Sequence, residues 1–165
     1  MRTLLLVTAL LLSSLGIAAA ESQGLLTERN LSSALAVEIA EGAVHACLER
    51  GYRVTAAVVD RNAQLKALIR ADGAGPHTID SSQRKAFTAS SLRTGTTALD
   101  EMVRGNPAAT GLRDVPGFLL LGGGVVIRAG DQVVGAVGVG GAPGGHLDDQ
   151  CAQVGIDKVK GRLVP

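Results

Sequence analysis

Apolar residues recur at helical spacing between Thr27 and Arg50. Leu31, Leu35, Ile39 and Leu48 mark the stripe, alanines fill the positions between them, and Gly51 follows where a helix stops. Val54 to Asp60 (VTAAVVD) then changes to a small and β-branched run, the signature of a buried strand. Asp60-Arg61-Asn62-Ala63 is turn chemistry, and Gln64 to Arg70 alternates as the returning strand of a hairpin. Asp72-Gly73-Ala74-Gly75-Pro76 interrupts regular structure. Asp80 with Gln83 three residues on reads as a capping box, which predicts a helix from Asp80 to about Arg93. Thr97 with Asp100 predicts a second, short helix to Arg104 in the same way. Gly105 to Gly117, with Pro107 and Pro116, reads mostly as loop, and Phe118 to Leu121 as an extra strand. Val125 to Arg128 and Gln132 to Val139 flank Ala129-Gly130-Asp131 as a second hairpin. The glycines of Gly140 to Gly145 lead into a last helix, Asp148 to Lys160.

The order is α-β-β-α-α-β-β-α. Hairpins with helices before, between and after them predict an α+β fold, an antiparallel sheet with flanking helices, and not a doubly wound parallel sheet. No internal repeat or linker divides residues 21–165, so they read as one domain.

The first twenty residues stand apart. Arg2 precedes an uncharged run from Leu4 to Ala19, and Ala18-Ala19-Ala20 supplies small residues of the A-x-A kind, so residues 1–20 read as a cleaved secretory signal. The run is short for a spanning helix, and no second stretch is long and uncharged enough for one. The expected destination is the bacterial periplasm or the exterior, with no membrane attachment after cleavage. The chain has 16 basic and 15 acidic residues, and Arg2 is the only charge in the leader. The remainder is therefore balanced, without the clustered Lys and Arg that nucleic acid requires. Three aromatic residues (Tyr52, Phe87, Phe118) make a base-stacking surface equally unpromising. Export also opens the cysteine question. Cys47 and Cys151 either pair across the domain or remain two buried thiols, and sequence does not supply the Cα distance that decides.

Known chemical motifs are missing: there is no P-loop, no H-E-x-x-H and no G-x-S-x-G. The glycine-dense run Gly135 to Gly145 follows a hairpin and places Pro143 where a dinucleotide loop needs glycine, so it reads as turns and tight packing. Its other reading is a backbone cradle for a carboxylate or phosphate at the start of the last helix. The three histidines, His45, His77 and His146, lack metal-ligand spacing. His45 sits in the first helix. His77 lies on the Gly-Pro loop among Arg70, Asp72, Asp80, Arg84 and Lys85, a position where function gathers on a rigid scaffold. His146 borders the last helix and reads as an exposed residue or a ligand contact.

Arg70-Ala71-Asp72-Gly73-Ala74, the Lys85-Ala86 and Thr88-Ala89 pairs, and Val134-Gly135-Ala136-Val137-Gly138-Val139 resemble the GlcG/HbpS family of haem-binding and haem-degrading-like proteins, which includes the C-terminal domain of PduO-type proteins. The resemblance runs from about Leu25 to Leu163. It departs at Asp60-Arg61-Asn62-Ala63, where the family's turn is usually D-A-G-G, and at Gly140, where serine is frequent. It implies a profilin-like sandwich that assembles into symmetric homo-oligomers, with haem or a related tetrapyrrole as ligand. On that reading Arg70, Arg84 and Lys85 pair with propionates and His77 offers imidazole to the iron, while Asp72, Asp80 and His146 complete the ligand-binding set. The scarcity of aromatic residues argues for modest affinity or a site shared between subunits. Two other classes remain open. One is an enzyme acting on a small carboxylate or degrading bound haem, with Lys85 or His77 as acid/base. The other is a non-catalytic oligomeric accessory module.

Overall fold

A computed structural model describes residues 24–164. The proposed signal, residues 1–20, lies outside them. The described chain is an α+β fold built on one four-stranded antiparallel sheet. In chain order the elements are α1 (Ser33–Leu48), β1 (Thr55–Asp60), β2 (Leu65–Arg70), α2 (His77–Leu92), α3 (Thr96–Gly105), a 3-10 helix (Pro107–Asp114), β3 (Gly124–Ala129), β4 (Gln132–Gly140) and α4 (Gly145–Val159). The strand order is β2-β1-β4-β3, so the two hairpins meet along β1 and β4 in the middle. β1 is buried along its whole length and β4 everywhere after Gln132. This is why both read as small, β-branched runs without polar alternation.

Three layers follow. α1 and α4 pack on each other and cover one sheet face, and α2 crosses the other. The main core lies on the α1/α4 side, where Ile39, Ala43, Ile156 and Val159 meet Ala56, Val58, Ile127, Val137 and Val139. The α2 side is thinner and built from small residues: Ala86 and Ala89 against Val59, Ala136 and Val126. Close approach explains the small residues. A Cβ at Gly138 would lie 2.0 Å from the Ser82 carbonyl oxygen, and one at Gly155 would lie 2.4 Å from that of Ile39. Glycine therefore lets α2 settle on β4 and α4 on α1. Cys47 and Cys151 are joined across that second contact, with Cα atoms 5.5 Å apart.

Several local expectations are corrected. α1 starts at Ser33 and not Thr27, capped by the Ser32 hydroxyl, which accepts from the Leu35 N–H. α2 starts at His77 and not Asp80, because Pro76 already has helical dihedrals and no side chain caps the end. Asp80 sits in its first turn, where a negative charge suits the helix dipole. α3 has Gly95 as its cap, and Thr97 gives its hydroxyl to Asp149 instead. α4 begins at Gly145, a turn before Asp148, after extended Gly144. The segment read as loop carries the 3-10 helix. Phe118 to Leu121 forms no strand: Leu119 N–H bonds the Thr88 hydroxyl, while Phe118 and Leu120 pack with Leu99 and Val103 in a small separate cluster. Among the described residues no helix is long and apolar enough to cross a membrane.

Candidate ligand-binding site

The loop between β2 and α2 is held rigidly. Thr78 gives its hydroxyl proton to the Gly75 carbonyl at 2.6 Å, so the 2.6 Å contact between Thr78 and Thr55 hydroxyls is donated by Thr55. Arg70 donates through Nε to the Ala74 carbonyl at 2.9 Å, and a second guanidinium nitrogen does the same. These bonds fix Gly75-Pro76 and with it the start of α2, where His77 is exposed.

His77, Asp80, Arg84 and Phe87 follow at i, i+3, i+7 and i+10, so they share one face of α2. That face borders a groove of about 280 Å³ lined by Val59, Leu65, Gln83, Arg84, Phe87 and Gly117, with Asp80 and Ala63 completing the wall. The groove runs between α2 and the β1–β2 hairpin. Ala63, at the turn where the resembling family carries glycine, takes φ 58°. The Asp60 carboxylate holds that turn, accepting from the N–H groups of Asn62 and Gln64. Arg84 is anchored from the far side: it donates to the Phe118 carbonyl at 2.6 Å and lies 3.7 Å from the Asp80 carboxylate. Phe87 packs on Phe118, ring centroids 6.0 Å apart. The groove thus joins an apolar floor to one partly exposed guanidinium, the chemistry that accepts an amphipathic anion.

The other sequence-selected residues divide. Arg70 stays at the end of β2, its guanidinium occupied by Ala74, and Asp72 is exposed in the loop it braces. Lys85 lies on another face of α2, 2% exposed, and donates to Asp148 Oδ2 and to the Val139 carbonyl, each at 2.9 Å. Its ammonium is committed within the chain and does not line the groove. Burial pushes the Asp148 carboxyl above its ordinary range, with Lys85 and the Ala142 N–H pulling against that. Asp149 ties the neighbouring loop by accepting from Gly123 N–H and Thr97. His146 borders a separate cleft of about 350 Å³ between α3 and α4, with Thr97, Glu101, Arg104 and Leu121. The structure therefore joins His77, Asp80 and Arg84 on one face and separates them from Lys85 and His146.

Sequence reasoning missed Phe87, Leu65 and Val59. The i+3 step from Arg84 to Phe87 was a readable signal for the first. Nothing local marked the strand residues, whose place depends on how α2 crosses the sheet. Among the described residues no three His, Cys, Asp or Glu side chains converge as a metal site.

The profile of the family described as "Haem degrading protein HbpS-like" matches residues 31–157. The chain is 35% identical over 109 residues to the protein GlcG of Escherichia coli K12, covering 66% of this chain and 80% of that one. A crystal structure of a Streptomyces reticuli HbpS double mutant superposes with a TM-score of 0.79 at 38% identity, covering 89% of this chain and 99% of that one. A crystal structure of a PduOC–haem complex superposes at 0.69 with 22% identity, covering 78% and 94%, which is a likeness of fold.

Proposed function

The chain belongs to the HbpS-like family, and on that footing we propose that it is an exported haem-binding protein whose ligand lies along the α2 groove. The observation that carries the reading is the α2 face with the strand beside it: an exposed imidazole at His77, a guanidinium at Arg84 and an apolar floor made by Phe87 of α2 and Leu65 of β2. This donor set suits haem. Arg84 would hold a propionate, His77 would offer nitrogen to the iron, and the apolar residues would cover part of the macrocycle. The bound group would supply iron chemistry; the chain supplies position and charge.

A volume of about 280 Å³ falls just below the range for small-molecule sites, roughly 300–1,000 Å³. A haem would therefore leave much of its surface uncovered on one chain. A second copy bringing apolar surface to the groove mouth, where Leu65 is 49% exposed, resolves this and makes the working unit a homo-oligomer. Export rests on the leader pattern and is supported by the Cys47–Cys151 bridge, since disulfides persist in oxidising compartments.

The test is haemin titration of the chain lacking residues 1–20, with light scattering alongside. We expect a Soret band, an oligomer, and a changed spectrum in His77→Ala. No spectral change on titration would remove haem as ligand; a His77→Ala spectrum identical to wild type would remove His77 from the iron. The family description favours one further reading, slow degradation of the bound haem. Soret loss under reductant that is no faster than for free haemin would dispose of it.

A further inference from the structure

Arg84 faces the groove with its guanidinium already placed. One nitrogen donates to the Phe118 carbonyl at 2.6 Å, and that carbonyl belongs to a segment fixed to α2 by Leu119 N–H on the Thr88 hydroxyl, 2.8 Å. The side chain is thus held without a ligand, and its remaining donors face a groove floored by Val59, Leu65 and Phe87. Among the described residues, the only acidic side chain lining that groove is Asp80, one turn earlier on the same helix, 3.7 Å from Arg84. Asp80 is 74% exposed at its side chain, and among the described residues its carboxylate accepts no hydrogen bond.

We infer that Asp80 is a specificity-determining residue: its carboxylate stands beside the Arg84 site as an internal competitor, whose charge opposes an incoming amphipathic anion. What supports this over a plain surface ion pair is position: both groups line one small groove, where a ligand anion would feel the Asp80 charge. At 3.7 Å the pair is weak, so Asp80 adds little to stability and leaves Arg84 open to a ligand. The consequence is selection. A ligand whose anion reaches Arg84 and forms the two-pronged bond of a carboxylate does so against the Asp80 charge. A ligand that brings apolar surface alone is indifferent to Asp80. The inference rests on the groove as ligand site and does not require the ligand to be haem.

The experiment uses three probes on the leaderless chain: haemin, haemin dimethyl ester and the anionic fluorophore 1-anilinonaphthalene-8-sulfonate. Each is titrated against wild type, Asp80→Asn and Arg84→Gln, with circular dichroism to confirm folding. Asp80→Asn is expected to tighten haemin and the sulfonate by roughly three- to tenfold, the scale of one screened charge a few ångströms away. The ester should move less than about twofold, within the range of a neutral surface change. Arg84→Gln should weaken both anions by about tenfold or more and abolish the preference for haemin over its ester. If the sulfonate follows this order while haemin gives no Soret change, the haem reading fails and the inference stands. If haemin binds and Asp80→Asn leaves it unchanged or weaker, or shifts the ester equally, the inference falls and the haem reading stands. Failure of all three probes to bind overturns the inference.

Discussion

Lys85 Nζ lies 2.9 Å from Asp148 Oδ2, and each side chain is only 3% exposed. The pair joins α2 to α4, through the end of β4, across the two sides of the sheet. Removing one partner strands a charge. Asp148→Asn should therefore cost about 3–5 kcal/mol, read as a lower urea midpoint at unchanged slope. Lys85→Met leaves a carboxyl that burial already pushes up from its ordinary 3.8. A raised folded-state value means that the folded chain holds the proton longer than the unfolded one. The stability this gives is present at low pH and is lost as pH rises from 3.8 through the folded value. Lys85→Met should accordingly draw closer to wild-type stability as pH falls from 7 toward 3.8, whereas Asp148→Asn should not. Equal, pH-independent losses in the two variants would contradict the pairing.

The Cys47–Cys151 bridge spans 104 positions, from α1 to α4, where both residues are fully buried. Closing a loop that long restricts the unfolded chain by about 4–5 kcal/mol in the chain-entropy account. Cys47→Ala/Cys151→Ala should lower the melting temperature by roughly 10 °C or more in a chain of this size. Because the sulfurs are shielded from solvent, a reductant should leave the native protein unchanged until it opens. Rapid reduction at temperatures far below melting would show that the bridge is accessible.

Sequence made the hairpins legible because β1 and β4 carry dense small and β-branched residues, and it made α1 legible by the helical spacing of its apolar residues. It misplaced the starts of α2, α3 and α4. At each, backbone geometry at Pro76, Gly95 or Gly144 begins the helix without a capping side chain; at α2 and α3 an apparent capping box further on was misleading, and at α4 the glycine run hid the first turn. The charges around the α2 loop identified Asp80 and Arg84, but they also drew in Lys85, a neighbour in sequence with a different helix face. Its partner is 63 positions away, beyond any local pattern. His146 was drawn in by its glycine-rich surroundings, and only the fold assigns it to a different cleft, between α3 and α4.

The glycine content is tested at Gly138. An added Cβ would stand 2.0 Å from the Ser82 carbonyl oxygen and 2.6 Å from the Ala86 nitrogen, both backbone atoms that cannot swing aside. Gly138→Ala should push α2 off the sheet and cost about 3 kcal/mol, the upper part of the overpacking range. It should also weaken whatever binds the groove, since Asp80, Arg84 and Phe87 ride on α2. Gly111 has no atom within 4 Å of such a Cβ, and Gly111→Ala should stay within about 0.5 kcal/mol of wild type. Similar unfolding midpoints for the two variants would refute the close-packing account.

Asp100 offers the acid-side counterpart. Its carboxylate accepts from Arg104 Nε at 2.8 Å and from an Arg113 guanidinium nitrogen at 2.6 Å, tying α3 to the end of the 3-10 helix. The Arg104 hydrogen bond, then that of Arg113, holds its carboxyl below the ordinary 3.8. A lowered folded-state value means that the unfolded chain takes up the proton first. The stability from this group is therefore present above 3.8 and disappears as pH falls through the folded value. Both arginines are well exposed, so solvent screening limits the contribution to about 1 kcal/mol. Asp100→Asn should be less stable than wild type by that amount at pH 6 to 7, and the difference should shrink as pH drops below 3.8. High salt should narrow the gap at neutral pH. A gap of constant size from pH 7 down to about pH 3 would mean that Asp100 acts through shape and not charge.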